Sequence, residues 1–124
     1  MSQNKTILLV DDNPVNLGLL EEMLTNQGCS VCLAFSGYTA IDKAREIQPD
    51  LILLDVAMPD LDGFEVMQML KADESTRNIP VMFITALIDS EDIVRGISLG
   101  AVDYITKPFL VEDTLARINR VLKI

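Results

Sequence analysis

Histidine is missing altogether from this 124-residue chain. Its absence excludes a Ser-His-Asp triad, a histidine general base and any phosphohistidine intermediate carried on the chain itself. Basic residues are scarce too: 10 against 19 acidic ones, for a net charge of −9. Such a chain is repelled by a nucleic-acid backbone, so direct nucleic-acid binding by this domain is not expected. The bulk of the acids are assigned to a solvated surface. Long apolar runs are lacking, the longest falling far short of the roughly 18–20 residues that cross a bilayer. The opening Met1-Ser2-Gln3-Asn4-Lys5 has no apolar stretch of the secretory kind. No membrane contact is expected, and the cytoplasm is the expected compartment. Cysteine is limited to Cys29 and Cys32, in C-x-x-C spacing. The pair follows Gly28 and runs into a strand pattern rather than opening a helix, where a redox thiol would gain its low pKa. Positions three apart on a strand face opposite ways, roughly 10 Å apart, too far for a disulfide. Two thiols without histidine also fall short of a zinc shell. Both are read as structural.

Apolar residues are plentiful, at 49% with a mean hydropathy of +0.29. That is enough for one well-packed domain over residues 1–124. Strand and helix signals alternate five times without a linker. Strands are expected over 6–10, 30–34, 51–54, 80–85 and 102–105. Three hold unbroken apolar runs, Ile7-Leu8-Leu9-Val10, Leu51-Ile52-Leu53-Leu54 and Val81-Met82-Phe83-Ile84, as strands covered on both faces do. The second and fifth are mixed, which suits edges. Between them, apolar stripes at helical spacing run through Leu17, Leu20 and Leu24; Ile41, Ala44 and Ile47; Phe64, Met67 and Leu70; Ile93 and Ile97; and Val111, Leu115, Ile118 and Leu122. Asn13-Pro14 reads as an N-cap with proline in the first turn. Gly28 and Gly100 stand where left-handed backbone ends a helix, and Pro49 stops the second one. Five βα units with right-handed crossovers give an α/β three-layer sandwich. The flavodoxin-like (βα)5 order 2-1-3-4-5 puts the two mixed strands at the edges.

Polar residues gather where the apolar strands end. The first strand runs into Asp11-Asp12, the third into Asp55 and the fourth ends in Thr85, while Lys107-Pro108 follows the fifth. In open α/β sheets the ligand crevice lies beyond the strands' carboxyl ends, so these residues converge on one volume. Three crowded carboxylates need protons or a cation, and a hard divalent ion such as Mg²⁺ (Mn²⁺ as an alternative) suits carboxylates plus water. Lys107 adds a mobile positive charge and Thr85 a hydroxyl, each able to bond a phosphoryl oxygen. Phosphoryl transfer needs mainly positioning and charge neutralisation. Asp55 leaves the central strand, which makes it the natural nucleophile for an acyl phosphate.

With Val10-Asp11-Asp12, Asp55-x-x-Met58-Pro59-x-x-Asp62-Gly63, Thr85-Ala86 and Tyr104-x-x-Lys107-Pro108-Phe109 in this order, the whole chain resembles a bacterial two-component response-regulator receiver domain. The resemblance implies Asp55 as phosphoryl acceptor. It implies a Mg²⁺ held by Asp12, Asp55 and the backbone carbonyl of Ala57, with Asp11 acting through metal-bound water. Thr85, Ala86 and Lys107 would meet the phosphoryl oxygens, and Tyr104 would be a rotameric switch that turns inward as Thr85 is drawn to the phosphate. A cis peptide at Lys107-Pro108 is implied as well. The phosphodonor would be a sensor histidine kinase or a histidine phosphotransfer protein. The output, a domain or partner protein, would be controlled through the surface of helix 4, strand 5 and helix 5. Asp12-Asn13-Pro14-Val15-Asn16 resembles receivers of hybrid kinases and multidomain regulators, so the N-terminal receiver of a longer protein is favoured over a stand-alone regulator.

Several residues have a plainer reading. Asp60 and Asp62 resemble a D-x-D phosphatase motif, but they follow Pro59 in a loop, and a turn leading into the third helix is expected. Met58 is read as packing. In similar receivers the positions two residues after the acceptor and the switch threonine, here Ala57 and Leu87, influence how water attacks the acyl phosphate. Neither side chain can hydrogen-bond that water, so the resemblance implies slow self-dephosphorylation. Three other functions use parts of the same pattern. A Mg²⁺-dependent phosphohydrolase with an aspartyl nucleophile would share the carboxylates, yet the chain offers no cap or substrate pocket. A flavodoxin-like FMN carrier is opposed by two acids where a phosphate would sit. A receiver-like scaffold that is never phosphorylated is opposed by the intact acidic pair and Lys107. The receiver is therefore the leading reading, with no turnover of a separate substrate.

Overall fold

A computed structural model describes residues 5–59, 61–86, 90–107 and 109–123. Strands β1 (Thr6–Val10), β2 (Ser30–Ala34), β3 (Leu51–Asp55), β4 (Val81–Thr85) and β5 (Asp103–Thr106) alternate with helices α1 (Pro14–Thr25), α2 (Gly37–Ile47), α3 (Gly63–Ala72), α4 (Ser90–Ser98) and α5 (Val111–Leu122). All pairings are parallel, in the order β2-β1-β3-β4-β5. The flavodoxin-like order expected from the apolar pattern is the one found. β3 and β4 are buried throughout, while β2 and β5 keep partial exposure along their length, as edges do.

The unbroken apolar strands serve two cores at once, because successive side chains point to opposite faces. Leu8, Val10, Ile52, Leu54, Val81 and Phe83 pack with the α2 and α3 residues Ala40, Ile41, Ala44, Phe64, Met67 and Leu70. Ile7, Leu9, Leu51, Leu53, Met82 and Ile84 pack with Leu17, Leu20 and Leu24 of α1 and Ile118 and Leu122 of α5. Each fully buried Leu or Ile contributes about 1.5–3 kcal/mol, which sets register as well as stability, since a one-residue slip would exchange the cores. Cys29 lies in the second core and Cys32 against the first, both as free thiols, so the strand argument for structural cysteines holds. Burial raises the Cys29 thiol pKa, the opposite of what a redox cysteine needs.

Local signals account for most helix ends. The Asn13 side chain accepts the Val15 N–H at 2.9 Å, with Pro14 opening α1. Gly28 and Gly100 have φ of 86° and 108°, left-handed as expected. At the end of α2 the left-handed residue is Gln48 (φ 53°), whose side chain donates to the carbonyls of Ala44 and Arg45 and so offsets the strain. Strand ends differ by a residue: Asp55 belongs to β3, Pro80 precedes β4 because it has no N–H to give, and β5 starts at Asp103. Two stripe positions are corrected. Ile97 is 48% exposed because α4 meets the sheet through Gly96, where an added Cβ would come within 2.8 Å of the Phe83 ring. Val111 is 53% exposed; the buried row of α5 is Thr114, Ile118 and Leu122. Val111 instead lines an open groove of about 460 Å³ with Leu19, Met23, Phe109 and Leu115.

Candidate functional site

Parallel strands deliver the singled-out residues to one edge of the sheet. Asp11 follows β1 directly, and its N–H still donates to the Ala34 carbonyl of the neighbouring strand at 3.1 Å. Its carboxylate is fully buried and accepts from the Asn13 N–H at 2.9 Å and from Asn16 Nδ2 at 3.3 Å. Asp12 is exposed. Asp55 is the last residue of β3, 3% exposed, and accepts the Ala57 N–H at 3.3 Å. Carboxylate oxygens of Asp11, Asp12 and Asp55 lie within 4.8 Å of one another. Lys107 is tied in by its N–H to the Thr85 carbonyl, 2.9 Å. Its Nζ stands 3.4 Å from Asp11 Oδ2 and 3.5 Å from Asp55 Oδ1.

One lysine does not balance three acids. Burial, then the negative charge of Asp11 and a hydrogen bond shared with it, push the Asp55 pKa from 3.8 up to about 7, against the pull of Lys107 and the Ala57 N–H. A bound cation would relieve the same repulsion between the carboxylates. The donor set is all oxygen, two carboxylates buried and one open to solvent, with net negative charge: this fits a hard divalent ion such as Mg²⁺.

The backbone around Asp55 is braced by α3. The Gly63 N–H donates to the Val56 carbonyl at 2.9 Å, and a Cβ at Gly63 would lie 2.4 Å from the Asp55 carbonyl oxygen. Only glycine permits that approach. Asp62 does more than turn the chain: it caps α3, accepting the Glu65 N–H at 2.9 Å while Glu65 accepts the Asp62 N–H at 3.2 Å. Met58 is buried in the core, in line with a packing role. Thr85 ends β4, 6% exposed, and Ala86 beside it is exposed. Tyr104 on β5 is half-buried and shares with Thr85, Val56, Phe83, Ile93 and Ile97 a cavity of about 20 Å³. Asp60, Leu87 and Pro108, with its expected cis peptide, lie outside the described residues.

The response regulator receiver domain model matches residues 7–119. This chain belongs to that family. The receiver is 44% identical over 117 residues to the DNA-binding dual master transcriptional regulator RpaA of Synechocystis, covering 94% of this chain and 48% of that protein. It is 49% identical over 109 residues to the response regulator PleD of Caulobacter vibrioides, covering 88% of this chain and 24% of PleD. The chain thus spans half or less of the length of these curated relatives. Among solved structures, a putative response regulator from Chloroflexus aurantiacus superposes with a TM-score of 0.92 at 30% identity, covering 98% of this chain and 100% of that one. The receiver domain of the sensor histidine kinase PA1611 from Pseudomonas aeruginosa, which has a magnesium ion coordinated in its active-site cleft, gives 0.89 at 33% identity, covering 98% and 99%. Phosphorylation-based two-component signalling is therefore the function class of this receiver, and the hydrolase, flavin and scaffold alternatives are not favoured. Among the described residues no helix is long and apolar enough to cross a membrane.

Sequence reasoning missed several residues around the site. The Asn13 backbone N–H and the Asn16 side-chain amide orient Asp11; the first has no side-chain signal, and the second was signalled only by an amide five residues after the acid. Arg117 of α5 gave no such signal. It reaches Asp103 on β5 at 2.7 Å and lies 5.3 Å from the Tyr104 ring centroid, contacts made only by packing α5 against the edge strand.

Proposed function

We propose that Asp55 is the phosphoryl acceptor of this receiver, and one observation carries the reading. Two buried carboxylates from different strands share a single lysine, with a third acid beside them, at the carboxyl edge of the sheet. Asp11, Asp12, Asp55 and the backbone carbonyl of Ala57 would hold Mg²⁺, or Mn²⁺ in its place, which supplies charge neutralisation for an incoming phosphoryl group. A carboxylate oxygen of Asp55 attacks the donor phosphorus. The P–O bond forms as the donor's P–N bond breaks, and the imidazole leaves with that electron pair. Lys107 transfers its pairing from the Asp55 carboxylate to a phosphoryl oxygen, with the Thr85 hydroxyl and the Ala86 N–H beside it. Tyr104 turns toward Thr85. The donor is a sensor histidine kinase or histidine phosphotransfer protein. The output surface is α4, β5 and α5, supported by exposed Val94, Ile97 and Val102. The domain works in the cytoplasm, modifies only itself and turns over no separate substrate.

Intact mass after acetyl phosphate and Mg²⁺ tests this on wild type and Asp55→Asn. One phosphoryl increment is expected on the wild type alone. No adduct, or an equal one on the variant, overturns the reading. The Ala57 methyl cannot orient a water, so the adduct should outlast minutes; a half-life of seconds would refute that part.

A further inference from the structure

The α5 side of β5 carries a group of contacts that the acidic site does not use. Asp103 Oδ1 accepts from both the Tyr104 backbone N–H at 2.8 Å and Arg117 Nη1 at 2.7 Å. Arg117 Nε also donates to Asp113 Oδ2, one turn back on α5, at 3.1 Å. The guanidinium so anchored stands 5.3 Å from the centre of the Tyr104 ring, within the range where a cation is drawn to an aromatic face. The contacts close a loop: Tyr104 backbone to Asp103, Asp103 to Arg117, Arg117 to the Tyr104 ring. Asp103 is 15% exposed and Arg117 29%, so this pair is less screened than a surface one.

The cavity that Tyr104 shares with Thr85 holds about 20 Å³. That volume is on the order of one water, whereas an aromatic ring needs roughly 150 Å³. Ile93 and Ile97 of α4 line it, so the ring turns inward only if that wall gives way. The resting position is therefore favoured twice, by too small a cavity on the α4 side and by Arg117 on the α5 side. We infer that Arg117 is a positioning residue that latches Tyr104 in its resting rotamer, with Asp103 and Asp113 holding the latch, so that α5 sets the threshold for switching. This rests on the reading of Tyr104 as the switch residue, and adds the restraint it must leave. By linkage, a contact made only in the resting state opposes whatever binds the switched state, here on the order of two- to fivefold for one partly screened cation–aromatic contact.

Tyr38→Phe leaves Tyr104 as the only tyrosine, so its ring resonances are unambiguous by NMR. In that background Arg117→Ala should strengthen ring contacts to Thr85 and the Ile97 methyl groups in the free protein. Asp113→Asn, which loosens the guanidinium while leaving the partly buried Asp103 pair, should do so to a smaller degree. Binding of beryllium trifluoride with Mg²⁺ should tighten two- to fivefold in Arg117→Ala, and the gain should vanish when Tyr104→Ala is present as well. A purely structural arginine would lower thermal stability without tightening the analogue. Unchanged ring contacts, weaker analogue binding, or the same gain without the Tyr104 ring would each overturn the latch. If the wild type binds no analogue, the acceptor reading fails, and the ring contacts of the free protein still decide the latch.

Discussion

Replacing Asp55 with asparagine removes one of three acids that meet at the sheet edge, and the effect on stability carries a sign that depends on pH. The folded pKa of Asp55 lies near 7 against an ordinary 3.8, raised first by burial and then by Asp11. Folding therefore favours the protonated form. Below pH 4 the carboxyl is neutral in both states and costs nothing extra. Between pH 4 and 7 the unfolded chain has released the proton while the folded chain holds it, so stability falls as pH rises. Above 7 the penalty is complete. At about 1.4 kcal/mol for each pH unit of displacement, the ceiling is roughly 4 kcal/mol, with about 2–3 kcal/mol of it developing between pH 5 and 8. The assay is thermal or urea unfolding of wild type and Asp55→Asn in a chelating buffer from pH 5 to 8, the difference isolating this site. Asp55→Asn should be the more stable protein, by a margin that widens toward pH 8 by something on the order of 5–10 °C in Tm. Adding Mg²⁺ should narrow the margin by stabilising the wild type more. A margin independent of pH, or one shrinking toward pH 8, would refute the electrostatic account of the site.

Two further outcomes concern the support beneath Asp55. Gly63→Ala forces a methyl to within 2.4 Å of the Asp55 carbonyl oxygen, a backbone contact that cannot swing aside. It should cost about 2–3 kcal/mol in urea denaturation and slow phosphoryl uptake together; near-neutral stability would show that α3 can retreat. Asp62→Ala removes both hydrogen bonds of the α3 capping box and should cost about 1 kcal/mol while leaving the phosphorylated mass unchanged, read by urea denaturation and intact mass.

Much of the architecture is legible in the sequence because its causes are local. Ile7-Leu8-Leu9-Val10, Leu51-Ile52-Leu53-Leu54 and Val81-Met82-Phe83-Ile84 read as strands buried on both faces. Once the sheet is parallel, topology carries the ends of those strands, and with them Asp11, Asp55 and Thr85, to one edge. Asn13, Gly28 and Gly100 marked chain turns through their own backbone chemistry. What sequence could not decide depends on how finished elements pack. Gly96, not an isoleucine, seats α4 on Phe83, which leaves Ile97 half in solvent. The displaced pKa of Asp55 needs its burial and the close approach of Asp11 and Lys107. The bond from Arg117 to Asp103 spans fourteen residues and exists because α5 folds back along the edge strand. Periodicity and end signals report a residue's neighbours along the chain, and these contacts are made by neighbours in space.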